Sequence, residues 1–116
     1  MPITHVLAVA LVSDLDRATQ WYERLLGRPA DARPMESLAD WHLTDGGWLQ
    51  VFVDPQRAGG VAVNLAVDDF DETRRTLQER GFDTSAASET PKGVHLLPLT
   101  DPDGNTVTVI GNPATA

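Results

Sequence analysis

The 116-residue chain contains no cysteine. That excludes disulfide bridges, thiolate zinc sites and cysteine nucleophiles together. It also lacks an apolar run near the roughly 18 residues that cross a bilayer. Its opening, MPITHVLAVALVSD, has no basic stretch of the kind that begins a secretory leader. This opening reads as a strand that ends at a helix cap, and the expectation is a cytoplasmic protein with no membrane partner. Basic residues are few, nine Lys and Arg against 17 Asp and Glu, for a net charge of −8. They are scattered, with only Arg74 and Arg75 adjacent. A nucleic-acid binder carries a basic face, so no nucleic-acid partner is expected. There is no Gly-rich phosphate loop, no serine or threonine with a visible His–acid partner set, and no evident pair of cavity-facing carboxylates.

What is present is a patterned chain with a hydrophobic fraction of 41% and no low-complexity tract. The length suits one compact domain or two small fused halves. Ile3–Val12 is nearly continuous in apolar residues, as in a strand covered on both faces. SDLDRATQWYERLLG follows as a helix. Ser13 or Asp14 caps it, Leu15, Ala18, Trp21, Tyr22, Leu25 and Leu26 form its apolar stripe, and Gly27 closes it. RPADARPMESLAD reads as a loop or short strand. DWHLT and WLQVFVD read as strands around Asp45-Gly46-Gly47. Val61–Val67 is again a strand, DDFDETRRTLQERG again a helix, FDTSAAS holds a weaker strand, and VHLLPLT and NTVTVI flank the turn DPDG. The last residues, 113–116, are expected to fray.

The order strand, helix, three strands occurs twice. Val12-Ser13-Asp14-Leu15-Asp16 matches Val67-Asp68-Asp69-Phe70-Asp71 at an offset of 55, and Asp45-Gly46 matches Asp103-Gly104 at an offset of 58. A repeat of half the chain implies two modules, about 1–55 and 60–112, neither able to bury its sheet alone. The doubled order, the helices VSDLDRATQWYERLLG and VDDFDETRRTLQERG and the late DPDGN resemble the vicinal oxygen chelate superfamily of glyoxalases, bleomycin-resistance proteins and extradiol dioxygenases. The resemblance covers nearly the whole chain. It implies an α+β fold of two tandem βαβββ modules, forming a cupped, pseudo-twofold mixed sheet around a central cavity. It also implies a homodimer, whose pocket draws on one chain or on two. The fold hosts many activities, so it does not fix the reaction.

In metal-dependent members of that superfamily, ligands come from the first and fourth strands of each module. Carried onto this chain, those positions are Leu7, Gln50, Ala62 and Thr108. Leucine and alanine offer no donor atom, and the other two are neutral and weak. No metal and no other cofactor is expected. His5 lies two residues before Leu7, on the same strand face and about 7 Å away. Alternation puts Trp48 and Phe52 on the face of Gln50, and Asn64 on the face of Ala62. A two- or four-residue hairpin loop sets Trp41 opposite Gln50, and a three-residue loop sets His42 there instead. A tight DPDG turn pairs Leu97 with Thr108 and His95 with Ile110, although Pro98 speaks for an edge or a bulge.

The expected ligand-binding set is therefore Trp41, Trp48, Gln50, Phe52, His5, Leu7, Ala62, Asn64, His95 and Thr108. Its apolar and aromatic walls with sparse neutral polar groups suit a small molecule, aromatic or cationic. Each member also has a plain structural role open to it. The tryptophans serve equally as core or as a dimer contact, Gln50 as a bridge to Thr108 or Asn64, and the histidines as ordinary strand residues. The helix-start aspartates are caps. The leading reading is a metal-free drug- or metabolite-binding protein of the bleomycin-resistance kind. The alternatives are an enzyme of the superfamily with a non-standard site (a lyase, isomerase or dioxygenase, or an acid–base catalyst using His5 or His95) and an accessory domain whose cavity is filled by its own side chains.

Overall fold

The first half of the chain builds one four-stranded sheet and the second half another, in a computed structural model that describes residues 1–111; the tail at 113–116 lies outside the described residues. The first module runs β1 (Val6–Val12), α1 (Leu15–Leu26), β2 (Ala32–Met35), β3 (Leu38–Thr44) and β4 (Gly47–Val53). The second runs β5 (Ala62–Val67), α2 (Phe70–Glu79), β6 (Ser88–Glu89), β7 (His95–Thr100) and β8 (Thr106–Gly111). The strand orders are β1-β4-β3-β2 and β5-β8-β7-β6. In each sheet the first strand lies parallel to the fourth, and the other pairs are antiparallel.

Local chemistry accounts for the helices. The carboxylates of Asp14 and Asp69 cap α1 and α2, accepting from the N–H of Arg17 and Glu72. Gly27 ends α1 in the left-handed region at φ 76°, where a side chain would be strained and would also strike the Arg80 guanidinium. That guanidinium reaches from the end of α2 to the Leu25 carbonyl, at 2.9 Å.

One buried cluster serves both halves. Ala10, Val12, Trp41, Leu49 and Val51 enter it from the first sheet, and Val63, Leu97, Leu99, Val107 and Val109 from the second, with Tyr22, Leu25, Phe70 and Leu77 from the helices. Strand alternation then turns the opposite face of each sheet away from the shared core. The module offsets recur in the pairing. Val9 lies opposite Gln50 in one sheet, and Asn64 opposite Thr108 in the other. Asp40 and Pro98 occupy the matching places on β3 and β7.

Several boundaries differ from expectation. β1 starts at Val6, not Ile3. FDTSAAS is mostly loop, held by Gln78 and Arg74 donating to the Thr84 hydroxyl, and the short β6 begins only at Ser88.

Candidate functional site

The β3–β4 hairpin starts in the register of a two-residue loop, with Thr44 opposite Gly47. A bulge at Leu43 then shifts it by one residue, so that His42 pairs with Trp48, Trp41 with Leu49 and Asp40 with Gln50. This single extra residue reverses the expected faces. Trp41 does not stand opposite Gln50. It is fully buried on the helix side, 6.1 Å from the Tyr22 ring, with its indole N–H on the Arg28 carbonyl. It therefore leaves the expected ligand-binding set and joins the core.

The outward face of the first sheet collects Leu7 and Val9 from β1, Trp48, Gln50 and Phe52 from β4, and Asp40 and His42 from β3. His42 stacks on Trp48 with ring centroids 3.7 Å apart, and His5 meets the same indole edge-on at 4.9 Å. The loop after α1 fixes His42 from behind. Asp31 accepts the His42 N–H at 2.7 Å, and Arg28 donates to the His42 carbonyl at 2.6 Å. Of the expected set, Leu7, Trp48, Gln50, Phe52 and His5 thus share one side of one sheet.

The second-module members divide. Ala62, Asn64 and Thr108 share the outward face of the second sheet. His95 does not join them. The loop between β7 and β8 is longer than a tight turn because the Asp101 carboxylate accepts the N–H of both Asp103 and Asn105. Pro98, not Leu97, therefore faces Thr108, and Leu96 faces Ile110. His95 turns to the helix side and stacks on Phe70 at 5.0 Å. Pro98 sits beyond the two-residue β6, where its missing N–H is not needed. Gln50 and Thr108 lie on separate sheets, both turned from the shared core, so no Gln50 bridge to Thr108 or Asn64 forms within one chain.

A groove of about 510 Å³ opens where β1, β4 and β5 meet. Val6, Trp48, Leu49, Asn64 and Ala66 are among its mostly apolar walls, so Trp48 and Asn64 bring both modules to one place. A larger concavity of about 710 Å³ lies between the start of α1 and β2. Asp14, Asp16, Arg33 and Glu36 line it, and it contains none of the expected residues. The Trp48 groove and the adjoining sheet face form the candidate site.

The positions that the resemblance gives to metal ligands hold poor donors. Leu7 and Ala62 bring no donor atom to the four ligand positions, and Gln50 and Thr108 supply only neutral oxygens on different sheets. Among the described residues no three His, Cys, Asp or Glu side chains gather as a metal group. Among them, too, no helix is long and apolar enough to cross a membrane.

Sequence reasoning missed two residues on this face. The expected loop lengths bring His42 opposite Gln50 only with a three-residue loop and never bring Asp40 there. A charged residue in the middle of DWHLT's strand was the available signal, but its face depended on the bulge.

Residues 6–110 match the family model described as a glyoxalase-like domain. The chain belongs to this family. Its fold is that of the vicinal oxygen chelate superfamily, and solved structures agree. A glyoxalase/bleomycin resistance protein from Catenulispora acidiphila DSM 44928 is 30% identical with a TM-score of 0.87, over 95% of this chain and 99% of that one. TnmS3, an antibiotic binding protein from Streptomyces sp. CB03234, is 27% identical with a TM-score of 0.75, over 97% and 98%. A bleomycin resistance determinant encoded on the transposon Tn5 is 25% identical with a TM-score of 0.77, over 94% and 98%. A comparison with curated proteins gives no match.

Proposed function

We propose that this glyoxalase-like chain binds a small molecule, a drug or metabolite with a flat ring, without a metal. The observation that carries this reading is the outward face around Trp48. Aromatic and apolar side chains line it beside Asp40, Gln50 and His42, and the positions that the resemblance gives to metal ligands hold at best weak, neutral donors. The likeness to antibiotic-binding and bleomycin-resistance structures supports the same reading.

The reading includes a homodimer. Val6, Leu7 and Val9 are 71%, 40% and 37% exposed, a contiguous apolar stretch on an edge strand. A second copy laying its β5–β8 face there covers this stretch. It also sets Ala62, Asn64 and Thr108 of that copy across from Trp48 and Gln50.

Titration with bleomycin and a panel of aromatic antibiotics, followed by tryptophan fluorescence, tests the binding. A saturable response that Trp48→Phe removes and Trp41→Phe preserves is expected. Elemental analysis of protein purified without a histidine tag tests the metal-free clause. Stoichiometric zinc, nickel, manganese or iron would overturn it.

A further inference from the structure

Asp40 is 4% exposed, and its Oδ1 is buried with no hydrogen-bond partner among the described residues. A buried carboxylate oxygen without a donor is unfavourable, and native proteins keep few of them. The β3–β4 register places this side chain directly opposite Gln50, two residues along the strand from His42 and its stacked Trp48. The fold itself does not require an acid here. The pseudo-equivalent position in the second module is Pro98, opposite Thr108, and that hairpin pairs in the same register without one.

We infer that Asp40 is the anchor for a cationic nitrogen, an amine, amidinium or guanidinium carried by a ring-bearing ligand. The inference rests on the proposed site at Trp48 and names the ligand class that site selects. A protonated nitrogen supplies the donor that Oδ1 lacks, and a charge-assisted bond in an enclosed setting is stronger than a neutral one. Gln50 is half-buried on the same sheet face, directly opposite Asp40 in the register. Its amide can then hold the ligand's second polar atom. The His42 imidazole already covers one face of the Trp48 indole, so the ligand's ring extends that stack or meets its edge.

A matched pair of probes tests this. Benzamidine and benzamide have the same ring and nearly the same shape, but only the first is cationic. Binding is read from the Trp48 indole N–H signal of ¹⁵N-labelled full-length protein. Benzamidine is expected to bind at least about ten-fold more tightly than benzamide, and Asp40→Asn to bring the two within about two-fold. Equal binding of both probes to the native protein would overturn the inference while leaving the Trp48 site standing. No binding of either, with no response to any aromatic compound in the panel, would sink the site and the inference together. Thermal melting supplies a second readout without ligand. Because Oδ1 has no partner, Asp40→Asn is expected to melt at or above the native temperature. A clear drop would mean that the carboxylate already has a structural partner, such as the Gln50 amide, and the anchor role would be lost.

Discussion

The Tyr22 hydroxyl donates a 2.7 Å hydrogen bond to Asp101 Oδ2, joining the middle of α1 to the loop that precedes β8. Both residues are buried. Burial, and then the adjacent Asp101 carboxylate, push the phenol well above its ordinary value. Folding therefore favours the neutral phenol. Its contribution is complete below the unfolded value, about pH 10, and is progressively lost as the pH rises above it. Tyr22→Phe is expected to cost about 1–2 kcal/mol at neutral pH and to flatten the loss of stability between pH 9 and pH 11, roughly one unit either side of that unfolded value. Urea unfolding at both ends of that range checks this. An unchanged alkaline slope in the variant would assign it to other groups.

Asn105 ties the two halves together. It is fully buried. Its Oδ1 accepts from the N–H of Gly59 and Val61, and its Nδ2 donates to the Leu11 carbonyl at 2.7 Å and to Asp101 Oδ2 at 2.8 Å. Asn105→Ala strands the Val61 N–H and leaves the Gly59 N–H and the Leu11 carbonyl only their long 3.4 Å bond to each other, where β1, the linker and β8 converge. The expected loss is roughly 2–4 kcal/mol. A denaturation midpoint within error of the native value would contradict this account of the inter-module joint.

The two tryptophans of the hairpin are expected to part company. Trp41→Phe leaves a gap under α1 and removes the bond to Arg28, so a stability loss of about 1–3 kcal/mol is expected with ligand response intact. Trp48→Phe touches a half-buried face and is expected to cost less than about 1 kcal/mol while removing the ligand response. Chemical denaturation and the antibiotic titration on both variants separate the roles. The opposite assignment of stability and binding would mean that the Leu43 bulge is misplaced.

That bulge also marks where the sequence stopped being legible. The two modules, the caps at Asp14 and Asp69 and the offsets of 55 and 58 could be read from residues, because caps, glycines and hydrophobic periods are local signals. The faces of Trp41 and His95 could not. A period-two pattern survives a one-residue change of register only by reversing sides, and each hairpin pairs one residue away from the register expected of its turn. In one it arises from Leu43, in the other from the Asp101 carboxylate gathering its loop. The shared face of Leu7, Trp48, Gln50 and Phe52 is legible because the parallel pairing of β1 with β4 does not pass through either turn. The faces of Asp40 and Trp41 both turn on the Leu43 bulge.

Leu7 offers the sharpest test of the two-chain arrangement. It lies directly opposite Trp48, on an apolar edge strand that the single chain leaves open. Its exposure means that a polar replacement costs the folded monomer little, since surface changes away from special features stay within about 0.5 kcal/mol. In a dimer the same position is enclosed, and a carboxylate there has no partner. Leu7→Glu is therefore expected to leave the far-ultraviolet circular dichroism unchanged and to shift sedimentation from dimer to monomer. Ligand binding should weaken at least about ten-fold if Asn64 and Thr108 of the second copy complete the pocket. A Leu7→Glu protein that remains dimeric would place the contact elsewhere. One that becomes monomeric but binds unchanged would confine the pocket to a single chain, at the groove shared by Trp48 and Asn64.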